Sequence, residues 1–176
     1  MGSRCAVGWI FLLGLSACAG PIETRVASTG AGLVASATVL QEDPPISPVA
    51  AQARASVIRT LSDRGYAETP HGELQLHVAV AERDAAIAVK TLSTDGESHI
   101  APAKPKKPLQ SCADREMRLV VTLTRITDGT EIYRGTAAEY HCKAQMQDVL
   151  PLLVSAALAD LSKPKGRYKV TRQGLE

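Results

Sequence analysis

The sequence predicts an α+β domain, with an antiparallel or mixed β-sheet of about four to six strands and two α-helices packed on one face. Three observations carry this. Apolar residues recur at helical spacing over Val49, Ala53, Val57 and Leu61, and again over Leu150, Val154, Ala157, Leu158 and Leu161. The period drops to two over Leu74, Leu76, Val78 and Val80 and over Leu119, Val121 and Leu123, as half-buried strands require. Asp128-Gly129 then separates two strand patterns, which signals a hairpin.

The first twenty residues stand apart from this pattern. Arg4 and the amino terminus give a positive start, Cys5 to Leu15 form an apolar run, and small residues follow, as in a secretory signal. The run is shorter than the roughly 20 apolar residues of a membrane span. Residues 18–24, with Gly20 and Pro21, read as a tether, and the single domain is expected over 25–162. Thr24 to Ser28 and Ala35 to Gln41 read as two strands around a Thr29-Gly30-Ala31-Gly32 turn.

Asp43-Pro44-Pro45 breaks the chain, and Ser47-Pro48 opens a helix with serine as N-cap and proline at the first helical position. Gly65 closes it. The strand at 74–80 comes next, with Ala86 to Leu92 as its continuation or return. Thr94 to Gln110 has no periodicity and contains Ala103-Lys104-Pro105-Lys106-Lys107-Pro108, so 94–110 is expected to be a mobile basic loop. Met117 to Ile126 and Glu131 to His141 form the hairpin. The last helix is expected to start near Asp148 with Pro151 in its first turn. Residues 163–176 read as a basic tail with a short strand at Tyr168 to Thr171.

A chain of 176 residues suits one core. Its formal net charge of +2 argues against a dedicated nucleic-acid binder. Trp9 and Phe11 lie in the signal segment, so Tyr66, Tyr133, Tyr140 and Tyr168 are the aromatics left for the domain, which weakens any site that needs an aromatic platform for bases or sugars. Asparagine is absent, closing the catalytic and adenine-reading arrangements that need it.

Leu15-Ser16-Ala17-Cys18 resembles the lipobox of bacterial lipoproteins. The resemblance implies that residues 1–17 are removed, that Cys18 becomes residue one, and that three fatty chains on it hold the domain on a bilayer. Ala19, where an aspartate would retain such a protein at the inner membrane, implies the periplasmic leaflet of a Gram-negative outer membrane. The alternative is an ordinary signal peptide that leaves Cys18 as a thiol or disulfide partner. Further along, the succession Leu61-Ser62-Asp63-Arg64-Gly65-Tyr66, the strand at 74–80, Arg118 to Ile126, Asp128-Gly129, Tyr133-Arg134-Gly135-Thr136-Ala137 and the helix from Leu150 to Leu158 resembles the lipoproteins of domain-of-unknown-function family 4136. That resemblance covers roughly residues 25 to 162. It implies an envelope lipoprotein and supplies no catalytic residues.

Cys112 and Cys142 flank the hairpin, and in an oxidising compartment such a pair is more often bonded than free. If Thr127 faces Thr130, Cys142 falls opposite Arg115, so a bond requires the chain before Met117 to fold back. The alternative is two buried thiols. A zinc site using His141 lacks a fourth ligand at a recognisable spacing. His77 reads as a surface histidine, and Ser162-Lys163-Pro164-Lys165 matches Ser-x-x-Lys by chance. Glu82-Arg83-Asp84 and Asp114-Arg115-Glu116 read as solvated mixed-charge turns, Lys104, Lys106 and Lys107 as a solvated run able to meet anionic lipid, and Arg134 as a partner contact or a surface residue.

No catalytic residue, metal set or cofactor motif emerges. The expected function is a lipid-anchored, non-catalytic outer-membrane lipoprotein that binds another envelope component, with no nucleic-acid partner. Two alternatives remain: an accessory subunit of a transport or assembly machine, docking by strand addition, or a small cell-wall or lipid hydrolase. The latter needs His77 or His141 beside a serine and a carboxylate.

Overall fold

The helical stripes and the alternating strands close on one another in a computed structural model that describes residues 20–93, 96–101, 103–106 and 110–174. Cys18 and the signal segment lie outside the described residues. The elements run β1 (Pro21–Gly30), β2 (Thr38–Leu40), α1 (Pro48–Asp63), β3 (Ala67–Thr69), β4 (Leu74–Asp84), β5 (Val89–Ser93), β6 (Gly96–Ala101), β7 (Arg115–Arg125), β8 (Glu131–His141), α2 (Met146–Ala157) and β9 (Gly166–Gln173). Seven strands form one mixed sheet in the order β3-β2-β4-β7-β8-β1-β9. Only β2 runs parallel to its neighbours β3 and β4. The fold is therefore α+β as expected, with one strand more than the upper bound.

Both helices lie on the same face. Val57 and Leu61 of α1 and Leu150, Leu153 and Val154 of α2 share one cluster with Leu76, Leu119, Val121 and Leu123 of the sheet. The register sets Leu76 against Leu123 and Val78 against Val121, so the residues alternating with them face away from the helices. Buried Gly135 allows α2 to come close. A methyl group there would sit 1.9 Å from the carbonyl oxygen of Ala157. The Tyr133 hydroxyl donates to that same oxygen at 2.5 Å, tying the helix end to β8.

Several boundaries differ from expectation. β1 begins at Pro21, inside the span read as a tether, and β2 covers only Thr38–Leu40 of the second expected strand. The basic tail carries β9, which pairs with β1 over its whole length. Its helix-facing residues are Tyr168, Val170 and Arg172, too polar for an apolar alternation to register. The segment 94–110 contains β6, which pairs with β5 as a separate two-stranded sheet. Ser47 precedes α1 but makes no side-chain cap; its carbonyl accepts from Ala51 at 2.8 Å.

α2 starts two residues before Asp148, with Gln145 and Asp148 forming a reciprocal capping box. Pro151 falls in the second turn, not the first, where its missing N–H leaves the Gln147 carbonyl without its usual helical donor. The hairpin loop is longer than a two-residue turn. Gly129, at φ +70, supplies the left-handed position, and Leu123 faces Tyr133 while Thr124 faces Glu131. The longer loop sets Thr124 opposite Glu131, and the extra residue Ile132 then shifts the register back by one, so that Cys142 falls opposite Asp114 in place of Arg115.

Candidate functional site

Two polar clusters lie at the Pro21 end of the sheet, one on each face. On the face away from the helices, β7 places Glu116 between Arg83 of β4 and Tyr140 of β8. Its carboxylate is 1% exposed. Arg118 lies 2.6 Å from Oε1, Arg25 reaches the same oxygen at 2.7 Å from β1, and Arg83 pairs with Oε2. Burial raises the Glu116 pKa, but hydrogen bonding from Arg118 and the charges of Arg118, Arg25 and Arg83 lower it further, so the group stays ionised. Three guanidiniums thus converge on one carboxylate. Arg25 also covers the Tyr140 ring at 4.3 Å, and Lys104 covers it at 4.7 Å while pairing with Asp114 at 2.7 Å.

The two triplets read as solvated turns are therefore strand ends. Glu82, Arg83 and Asp84 pair in register with Met117, Glu116 and Arg115. The sequence shows their charges but not that the strands extend far enough to bring them together. Lys104, expected in a mobile loop, is fixed over Tyr140.

On the helix face, fully buried Glu139 of β8 accepts from Thr24 at 2.5 Å and from Arg172 at 2.7 Å, with His141 Nε2 also at 2.7 Å. An ionised carboxylate only accepts, so Nε2 of His141 carries the proton. Burial pushes the Glu139 carboxyl up, but the hydrogen bonds from His141, Arg172 and Thr24 and the charge of Arg172 bring it down to about 2. This set is near the requirement of a hydrolase but lacks the serine. Ser28 lies four residues along β1 from Thr24, about 13 Å away at strand rise. Its hydroxyl donates to Asp160 at 3.0 Å and accepts the Lys165 N–H at 2.9 Å.

His77 is exposed on the open face beside Thr122. Arg134 is exposed on the same face and pairs with Glu131 at 2.5 Å. Among the described residues no three His, Cys, Asp or Glu side chains are placed to hold a metal ion. No helix among them is long and apolar enough to cross a membrane.

Cys112 and Cys142 are joined in a disulfide, with Cα atoms 5.6 Å apart. The longer hairpin loop, offset by one residue at the Ile132 bulge, leaves Cys142 one residue nearer Cys112 than expected. The chain bends at Ser111-Cys112 before β7, and the Asp114 carbonyl accepts the Ala85 N–H at 3.0 Å, next to the Asp84–Arg115 pair.

No protein-family model matches the chain, and no curated protein matches it closely enough to count. Among solved structures, the chain is similar to the PelC dodecamer from Paraburkholderia phytofirmans in two crystal forms. One, a point variant, is 17% identical with a TM-score of 0.46, covering 80% of this chain and 98% of that one. The other is 16% identical with a TM-score of 0.47, covering 80% and 99%. A PDZ domain protein from Parabacteroides distasonis is 7% identical with a TM-score of 0.51, covering 88% of this chain and 40% of that one. At such identities the last likeness concerns the fold alone.

Proposed function

We propose that the chain is a lipid-anchored lipoprotein of the outer membrane, facing the periplasm, which binds another envelope component and performs no chemistry itself. The observation that carries the binding role is the sheet: among the described residues the helices cover one face only, and the other presents Arg25, Arg83 and Arg118 gathered on Glu116. The lipobox resemblance at Leu15-Ser16-Ala17-Cys18 supports the anchor. The Cys112–Cys142 bond supports an oxidising compartment. Because β1 begins at Pro21, an acyl group on Cys18 would hold the sheet within about 11 Å of chain from the bilayer.

The test is fractionation of cells expressing the protein and its Cys18→Ser variant. The wild type is expected in the outer membrane with globomycin-sensitive processing, and the variant as a soluble or stalled form. A variant that is processed and membrane-bound like the wild type contradicts the anchor.

A second reading, an accessory subunit docking by strand addition, draws on β9, whose eight residues end the sheet with no further strand beside them among the described residues. Cross-linking followed by co-purification separates the two. An edge-docked subunit yields one stoichiometric protein partner, bound through β9.

A further inference from the structure

β4 ends in a turn of unusual composition. Ala85, Ala86, Ile87, Ala88 and Val89 are five apolar residues in a row, where turns ordinarily carry Gly, Pro, Asn, Asp or Ser. Ala85 is buried, but Ala86 is exposed, Ile87 is 60% exposed and Val89 39%. Single apolar side chains on a surface are ordinary. A consecutive run of them at a strand end marks a surface that something covers.

The turn is braced from several sides. The Asp84 side chain accepts the Ala86 N–H at 2.8 Å, and the Asp84 carbonyl accepts the Ile87 N–H at 3.2 Å. The Ala85 carbonyl accepts the Lys104 N–H at 2.6 Å, and Arg83 donates to the Ile87 carbonyl. Ile87 and Val89 are therefore displayed on a built loop, with β5 starting at Val89.

The place of the turn in the fold names its occupant. Arg25 of β1, Ala138 of β8, Arg118 of β7 and Ala81 of β4 form one row across the sheet. Beyond that row β1 runs out to Pro21 and β4 to Asp84, at the same end. Three strand spacings, about 14 Å, separate the two strands. Acyl chains on Cys18 would leave about 11 Å of chain between this end and a bilayer. A surface tethered so closely meets the bilayer at high effective concentration, so an apolar patch too small to bind a membrane from solution can seat on one here. Exposed Lys106 and Lys143 lie at the same end as exposed Asp84 and Asp148, so the contact is carried by the apolar side chains and not by net charge.

We infer that the turn at 85–89 seats the domain on the lipid surface: Ile87 and Val89 enter the headgroup boundary, and the strands stand away from it with the Asp128-Gly129 hairpin farthest out. This rests on the reading that Cys18 is acylated, and it goes beyond that reading by fixing which end of the domain touches lipid.

The test uses tryptophan as a probe. The single tryptophan of the chain, Trp9, lies in the signal segment, so Ile87→Trp is the only indole in the processed protein. The protein is extracted from membranes, its N-terminal peptide is weighed to establish acylation, and it is reconstituted into phosphatidylcholine vesicles with and without brominated chains. Ile87→Trp is expected to emit further to the blue and to be quenched by brominated lipid, with no change on adding salt. Ile126→Trp, at a residue 48% exposed at the hairpin end, is expected to emit as in water and to be quenched by iodide instead. Tryptophan favours the interface at both sites alike, so the difference reports placement. Circular dichroism checks that both variants fold, and Val89→Trp replaces Ile87→Trp if it does not.

An acylated protein in which brominated lipid quenches Ile87→Trp no more than Ile126→Trp overturns the seat and leaves the anchor standing. So does an Ile87→Trp signal shielded from both lipid and iodide, since that places a protein surface on the turn. A protein recovered without acyl chains and left behind when vesicles are floated contradicts the anchor and the seat together.

Discussion

Replacing Glu139 with glutamine removes one charge from a carboxylate that is fully buried on the helix face of β8. Volume and the bond from Thr24 are kept. In the folded protein the carboxyl titrates at about 2, against an ordinary value of 4.5. A gap of two to three pH units, at roughly 1.4 kcal/mol each, corresponds to about 3 kcal/mol of stability. Because the folded pKa is the lower one, this contribution is fully present above the unfolded value of 4.5 and is lost as pH falls through about 2. Urea unfolding of wild type and Glu139→Gln at a series of pH values from 7 down to 3 measures it. The variant is expected to be less stable by about 3 kcal/mol at neutral pH, with the difference shrinking steadily in acid. A difference that stays constant with pH would show a packing loss with no ionic component, and the Arg172–His141–Thr24 assignment would be refuted.

Other outcomes follow from the packing. Leu76→Ala, in the core, is expected to cost about 2–5 kcal/mol, whereas Gln75→Ala, on the open face, should stay within about 0.5 kcal/mol; equal urea midpoints contradict the assigned faces. Gly135→Ala places a methyl group 1.9 Å from the Ala157 carbonyl oxygen, so a loss of about 1–3 kcal/mol or more is expected from overpacking, and an unchanged thermal midpoint contradicts the close approach of α2. Mutation of both Cys112 and Cys142 to alanine opens a loop of 30 residues and is expected to cost about 3–4 kcal/mol in the chain-entropy limit. Non-reducing mass spectrometry of tryptic peptides checks the bond in protein recovered from the periplasm, where two freely alkylatable thiols contradict it.

The parts of the fold legible in the sequence are those with an apolar period. The Val49-to-Leu61 stripe and the Leu76, Leu119, Val121 and Leu123 alternation place α1, β4 and β7 and assign their buried faces. β9 was legible only as a short strand because its inward positions include Arg172, which is spent on Glu139, and Tyr168, whose burial beside Asp160 pushes its hydroxyl up to about 12. β6 escaped because a two-stranded sheet standing apart has no core to impose alternation.

The Glu116 cluster was hidden for a related reason. Arg25, Arg83 and Arg118 are distant in the chain, and only the antiparallel register of β1, β8, β7 and β4 gathers them. Mixed-charge triplets are usually solvated turns, and nothing local in Asp114-Arg115-Glu116 marks the one carboxylate that is buried. The Cys112–Cys142 pair was legible from count and the expected compartment, but its geometry depended on the length of the hairpin loop and the bulge at Ile132.

We propose that the domain meets an envelope partner through the open face of the sheet. A benzophenone side chain placed at Thr29, exposed on the open face beside Arg134, or at Arg59, exposed on α1, tests this most directly when irradiated in intact cells. Adducts of high mass are expected from Thr29 and none from Arg59. Adducts from Arg59 alone would place the partner on the helix layer and contradict it.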